Sequence, residues 1–176
     1  DPAGHRLLHD RAVVVTAAAG TGIGSATARR CLMEGARVLV SDVHERRLEE
    51  TAAQLAGEFP GQVDAVACDV TDEASVDALI SAAVQAHGRL DIVVNNAGLG
   101  GTATIVETSD ETWSRIIDVS LTSVFRMTRA AFRAYAEQGT GGVIVNNASV
   151  SGWRAQEGQA AYSASKAGVM ALTRCS

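Results

Sequence analysis

Tyr162 and Lys166 stand four residues apart near the end of this 176-residue chain. On a helix, side chains at i and i+4 share a face, so the pair would present a phenol and an ammonium to the same space. An unperturbed tyrosine titrates at about 10 and exchanges protons poorly at neutral pH. A neighbouring ammonium favours the phenolate and lowers that value. Such a pair could give a proton to a substrate oxygen or take one from it. In isolation it fits equally an ordinary helix with a surface lysine and a half-buried tyrosine.

A second candidate site lies at the other end of the chain. Gly20, Thr21, Gly22, Ile23 and Gly24 follow an apolar run and open a helical pattern. Glycines there let the backbone approach a pyrophosphate, and a helix N-terminus offers free N–H groups and the positive end of its dipole. Asp42 follows about 20 residues on, at the end of the next apolar run, where a carboxylate accepts hydrogen bonds from an adenosine ribose. It would repel a 2′-phosphate, and no Arg or Lys lies between Thr16 and Gly24 to bind one, so the pattern favours NAD over NADP. Asp42 could otherwise be a helix N-cap.

These residues need a scaffold. Near-continuous apolar runs at Ala12 to Thr16, Arg37 to Ser41, Val63 to Ala67, Ile92 to Asn95 and Val143 to Asn147 predict strands buried on both faces of a parallel sheet. Helical stripes intervene: Leu48, Ala52, Leu55 and Phe59, then Val76, Leu79, Ile80, Ala83 and Val84. A long helix is predicted from Thr108, with Glu111 at capping-box spacing. It turns Trp113, Ile117, Leu121, Val124 and Thr128 inward and ends near Gln138. The alternation predicts an α/β fold, a doubly wound parallel sheet of Rossmann type in the order 3-2-1-4-5. Ligands would bind at the carboxyl ends of its strands. No linker or second domain is apparent. Residues 1–176 are read as a single dinucleotide-binding and catalytic domain, with Asp1 to Asp10 a loose lead-in.

With these motifs in order, the chain resembles the short-chain dehydrogenase/reductase family across residues 11–176. The resemblance rests on the glycine-rich turn, Asp69-Val70, Asn95-Asn96-Ala97-Gly98, and Ser149 thirteen residues before Tyr162, with Lys166 beyond. It implies an oxidoreductase that moves a hydride between a nicotinamide cofactor and a secondary alcohol or ketone. Asp69 and Val70 would hold the adenine, and Asn95, Asn96, Ala97 and Gly98 would line the cofactor. Lys166 would also bind the nicotinamide ribose, Tyr162 would be the general acid or base, and Ser149 would orient the substrate oxygen. The family also implies two further strands and a substrate-covering segment after the Tyr162 helix. The domain is therefore expected to be incomplete at its C-terminus, and Asp1, which is not Met, suggests numbering that begins inside a longer chain. Other expectations are a non-catalytic dinucleotide sensor of the same fold, or a related lyase or epimerase. The first would predict a damaged Tyr or Lys, and both are intact.

Two departures from the family pattern stand out. The turn has one extra residue, and Ala17 occupies a glycine position. Ser120 falls where the family places an asparagine that anchors a water in its proton relay; a serine there could serve with an extra water or simply pack. The stretches Thr16 to Arg30 and Val143 to Gln156 resemble a bacterial branch acting on steroid-derived acyl-CoA intermediates. Trp153 could then pack on an alicyclic body and Arg154 could pair with a carboxylate or a coenzyme A phosphate.

Composition is that of a globular domain, with 47% hydrophobic and 20% charged residues. A net charge of −5 and no basic patch argue against nucleic acid or an anionic membrane as the main partner. No apolar run could span a bilayer, and no signal-peptide pattern opens the chain. Cys31, Cys68 and Cys175 lack metal-ligand spacing and are read as free thiols in a reducing cytoplasm. Ile116 and Phe125, added to Ile117 and Val124, give the long helix apolar residues on more than one face. That suggests a homodimer or homotetramer built through this helix and the Tyr162 helix.

Overall fold

The computed structural model describes residues 3–154 and 156–176. Asp1 and Pro2 of the expected lead-in, and Ala155 of the segment after Ser149, lie outside the described residues. Five strands form one parallel sheet: β1 (Ala12–Val15), β2 (Arg37–Asp42), β3 (Val63–Ala67), β4 (Ile92–Asn95) and β5 (Val143–Asn146). Their order is β3-β2-β1-β4-β5, as the alternation predicts. The order reverses between β1 and β4, which pair from Val13↔Ile92 to Val15↔Val94, and a crevice opens beyond their carboxyl ends.

The helices are α1 (Ile23–Met33), α2 (Glu45–Glu58), α3 (Glu73–His87), α4 (Asp110–Ile117), α5 (Ser123–Gln138) and α6 (Ala160–Cys175). One core cluster joins α3 and α5 to the sheet through Val14, Leu39, Leu79, Leu90, Val93 and Met127. The other joins α1 and α2 through Val13, Val15, Leu32, Val38, Leu48 and Leu55. All four residues of β1 are fully buried. The edge strands differ from the expectation of two buried faces: Val143 and Val145 of β5 are exposed, as are Asp64 and Ala65 of β3. Each has a sheet neighbour on one side only, so fewer elements cover it.

The long helix is continuous but not regular. Its N-cap is Ser109, not Thr108: the Ser109 hydroxyl accepts from the Thr112 N–H at 3.1 Å, while the Thr108 hydroxyl donates to the Thr104 carbonyl. Between α4 and α5, Asp118–Thr122 form a π-helical turn. The wider turn inserts a residue into the 3.6-residue repeat and rotates the buried stripe. Ile116, Ser120, Val124, Met127 and Ala131 therefore face inward. Trp113, expected inside, is exposed, and Ile117 and Leu121 are only half-buried. A Cβ on Gly168 of α6 would lie 2.7 Å from the Leu121 side chain, so glycine lets α6 seat closely on this turn.

The described part of the lead-in is pinned rather than loose. The Glu34 carboxylate accepts from the His5 and Leu7 N–H groups at 2.8 and 3.1 Å, and the Leu8 N–H reaches the Glu34 carbonyl. These N–H groups, that of Leu7 foremost, hold the Glu34 carboxyl below the usual range with help from Arg30.

Candidate active site and dinucleotide cleft

The glycine-rich turn sits at the carboxyl end of β1. Gly22 is the N-cap of α1 and offers no capping side chain, so the first N–H groups of the helix stay open to a ligand. Gly24 has a separate reason to be glycine: a Cβ there would lie 2.2 Å from the Ala17 carbonyl oxygen and 2.6 Å from Asn96 Nδ2. Ala17, at the family's glycine position, adopts a left-handed φ of 48°, a conformation costly for a side chain with a Cβ.

A cleft of about 1090 Å³ runs across the strand ends, lined by Ala17, Asp42, Asp69, Val70, Ala97 and Gly98 among others. Asp42 is held from both sides, accepting from the Ala19 N–H at 3.2 Å and the His44 N–H at 3.0 Å. The Asp69 carboxyl lies below its usual range, chiefly because the Thr71 hydroxyl and N–H both donate to it. Val70 is buried in the core. Three cationic or ionisable groups that the sequence reading did not weigh line the same cleft: His44, Arg47 and Arg115. An open volume at the strand ends, an uncapped helix N-terminus and a fixed carboxylate fit an adenine dinucleotide. Of the residues expected to bind one, Asp42, Asp69, Val70, Ala97 and Gly98 line this cleft.

Asparagines tie this cleft to the Tyr162 helix. Asn96 Nδ2 donates to the Thr16 and Ala17 carbonyls at 3.2 and 3.1 Å, and its Oδ1 accepts from Asn147 Nδ2 at 2.9 Å. Asn95 Nδ2 donates to Asn146 Oδ1 at 2.8 Å, across the Asn95↔Asn146 pair of β4 and β5. Lys166 Nζ then donates to the Asn147 carbonyl at 2.6 Å. The sequence reading missed Asn147. Its signal was present: Asn146-Asn147 ends β5 as Asn95-Asn96 ends β4.

Lys166 is almost fully buried, and burial pushes its ammonium pKa down. Its Nζ lies 5.7 Å from the centre of the Tyr162 ring, as the i, i+4 spacing on α6 predicts. The Ser149 hydroxyl accepts from the Ser151 N–H at 3.1 Å, which leaves its own proton available to donate. Ser120, fully buried in the π-helical turn, accepts from the Leu99 N–H at 2.8 Å and donates to the Leu99 carbonyl at 2.9 Å. It thus fixes the loop following Gly98, and Gly98 itself lies against Lys166. The segments around Gly100 and Gly158 are joined by the Ala103 N–H to the Gly158 carbonyl. Trp153, which follows Ser149 by four residues, is 82% exposed. Among the described residues, no group of His, Cys, Asp and Glu could hold a metal ion, and no helix is long and apolar enough to cross a membrane.

The doubly wound sheet thus carries a glycine-rich turn after β1, Ser149 beyond β5, and Tyr162 with Lys166 on α6. The family model for short chain dehydrogenases matches residues 11–176, and the chain belongs to that family. It is 64% identical over 174 residues to the (5R,7aS)-5-hydroxy-7a-methyl-1-oxo-2,3,5,6,7,7a-hexahydro-1H-indene-carboxyl-CoA reductase of Mycobacterium tuberculosis, covering 99% of this chain and 66% of that protein. It is 40% identical to 3beta-hydroxysteroid dehydrogenase 2 of Eggerthella lenta, over 96% of this chain and 64% of that one. Among solved structures, a short chain dehydrogenase from Mycobacterium smegmatis superposes with a TM-score of 0.97 at 61% identity, covering 99% of this chain and 72% of that one. One from Burkholderia phymatum in complex with NAD gives 0.91 at 32% identity, covering 96% and 59%. The chain thus spans less than two thirds of the length of these curated relatives.

Proposed function

We propose that the protein is an oxidoreductase that transfers a hydride between a nicotinamide cofactor and a secondary alcohol or ketone. The observation that carries this reading is the buried Lys166 ammonium against the Tyr162 ring, with Ser149 nearby in sequence and the dinucleotide cleft alongside. A nicotinamide bound at the cleft supplies or accepts the hydride. Ser149 donates a hydrogen bond to the substrate oxygen and orients it. Tyr162 gives that oxygen its proton in reduction and removes it in oxidation. Lys166 balances the phenolate left behind and holds the nicotinamide ribose. Ser120 supports catalysis by keeping the Leu99 backbone in place beside Gly98. Asn95, Asn96, Ala97 and Gly98 form the wall between cofactor and Lys166, and Asp69 and Val70 bound the adenine.

The proposed cofactor is NAD, on the strength of Asp42; His44 and Arg47 in the same cleft are the features that would favour a 2′-phosphate instead. The proposed substrate is an acyl-CoA carrying an alicyclic keto or hydroxy group. Exposed Trp153 and the exposed Ile105 and Val106 support an apolar substrate body, and the Mycobacterium tuberculosis relative is named for such a compound. A homodimer or homotetramer in the cytoplasm completes the proposal. Steady-state NADH oxidation with a panel of ketones, 3-oxoacyl-CoA esters and alicyclic keto acyl-CoA esters tests it. Turnover of any secondary ketone supports the reaction class, and turnover of none across the panel rejects it.

A further inference from the structure

We infer that Thr51 of α2 is a positioning residue for the cofactor diphosphate, acting through the glycine-rich turn; this rests on the cofactor reading above. Three successive N–H groups of the turn point toward β2 and α2. The Ala18 N–H donates to the Ser41 carbonyl at 2.9 Å, the Ala19 N–H to Asp42 at 3.2 Å and the Gly20 N–H to Thr51 Oγ1 at 2.9 Å. The Thr51 hydroxyl donates its own proton to the Arg47 carbonyl at 2.8 Å. That bond fixes the hydroxyl, so its lone pair is presented to Gly20. Thr51 itself is buried, 8% exposed.

The turn needs such a brace. Ala17 begins it at a φ of 48°, and Gly20 sits at 81° with nothing within 4 Å of where its Cβ would be. Ala17 is tied by Asn96, but Gly20 has no side chain to pack, so the Thr51 bond is what fixes its end of the turn. Thr51 holds Gly20 at the last point before Thr21 and Ile23, whose N–H groups meet no backbone acceptor among the described residues. Those open donors are the ones a diphosphate would meet. Thr51 does not line the cleft, so it acts by fixing where these donors point.

The test uses the full chain with Thr51→Val and Thr51→Ser, titrated with ADP-ribose, NADH and adenosine by fluorescence and calorimetry. Thr51→Val is expected to weaken ADP-ribose and NADH by about ten-fold, the worth of one hydrogen bond, and to leave adenosine unchanged. The KM for the dinucleotide should rise while kcat at saturation stays within about two-fold. Thr51→Ser keeps the hydroxyl and should bind like the parent. ADP-ribose binding of parental strength in a folded Thr51→Val protein would overturn the inference, as would equal weakening of adenosine. If Thr51→Val does not fold, a Thr51→Ser protein ten-fold weaker for ADP-ribose would overturn it as well. Failure of the parent to bind ADP-ribose would instead overturn the cofactor reading, and this inference with it.

Discussion

Asn147 donates a side-chain hydrogen bond to Asn96 at 2.9 Å, and this contact joins the two halves of the site. On one side Asn96 grips the Thr16 and Ala17 carbonyls of the glycine-rich turn. On the other, the Asn147 carbonyl receives Lys166. The turn and the lysine are thus two asparagines apart. Asn96→Ala would leave two carbonyls and an amide without partners in a half-buried space. A loss on the order of 1–3 kcal/mol is expected, together with a higher KM for the dinucleotide. Urea unfolding and a cofactor titration check both; unchanged stability would show that water replaces Asn96.

The Asp91 cluster makes stability depend on acid. Burial acts to raise the Asp91 pKa, but a hydrogen bond from Arg89, the Ala12 N–H and Arg11 outweigh it and hold the carboxyl below its ordinary value. A carboxylate whose folded pKa is lowered stabilises the fold fully above its unfolded value, about 3.9. That contribution is lost as pH falls through the lower folded value. Asp91→Asn should therefore destabilise the protein at pH 7, by roughly 1–3 kcal/mol. The gap between variant and parent should narrow below about pH 4. Denaturant melts at the two pH values decide it, and a gap that widens in acid would contradict the assignment.

The strands were legible because runs of three or four apolar residues (Ala12–Val15, Val38–Val40, Ile92–Val94, Val143–Val145) alternate with helical stripes, and β1 to β5 lie within a residue of the predicted bounds; the exposure of Val143 and Val145 was not legible. The π-helical turn was not legible, since a five-residue turn at Asp118–Thr122 leaves no periodic mark of its own. It moved Ile116 inside and Trp113 outside. Of the residues named from motifs, Asp42, Asp69, Val70, Ala97 and Gly98 line one cleft, because each closes or follows a strand at the same end of the sheet. Asn147, Thr51 and Arg115 escaped because their importance lies in which neighbours they meet across the fold. Thr51 in particular reads along the chain as one more polar residue of an amphipathic helix.

Phe125 and Phe132 of α5 are 45% and 46% exposed, and Arg129 stacks over Phe125 at 4.7 Å. Ile116, which the sequence pattern also assigned to an outer face, is buried and carries none of this surface. The two phenylalanines are the apolar part that a second copy would cover, with α6 alongside. Phe125→Glu combined with Phe132→Glu should convert an oligomer to a monomer on light scattering. A parental protein already monomeric at micromolar concentration would remove the prediction.

Asp42 governs cofactor choice if its carboxylate meets the adenosine ribose. Fluorescence titration should give tighter binding of NADH than of NADPH in the parent. Asp42→Ala should reverse or erase that preference, because His44 and Arg47 line the same cleft and would then face a 2′-phosphate without the opposing charge. Tighter NADPH binding by the parent would place control with those two residues rather than with Asp42.

The mechanistic prediction turns on Tyr162, Lys166 and Ser120 together. Tyr162→Phe removes only the hydroxyl, so the fold and NADH binding should persist while turnover falls by at least ~10²-fold, the usual loss for a general acid or base. Lys166→Ala removes an ammonium that is buried and bonded to Asn147. It should lower turnover and also weaken the dinucleotide, since the same group is assigned to the nicotinamide ribose. Ser120→Ala deletes both bonds to the Leu99 peptide without touching Tyr162, so a smaller loss than in Tyr162→Phe is expected. Rapid-mixing measurement of NADH oxidation separates these outcomes from binding defects. Near-normal turnover in Tyr162→Phe would remove the proton from Tyr162 even with the cofactor cleft intact. A Ser120→Ala enzyme as slow as Tyr162→Phe would place the serine within the proton path itself.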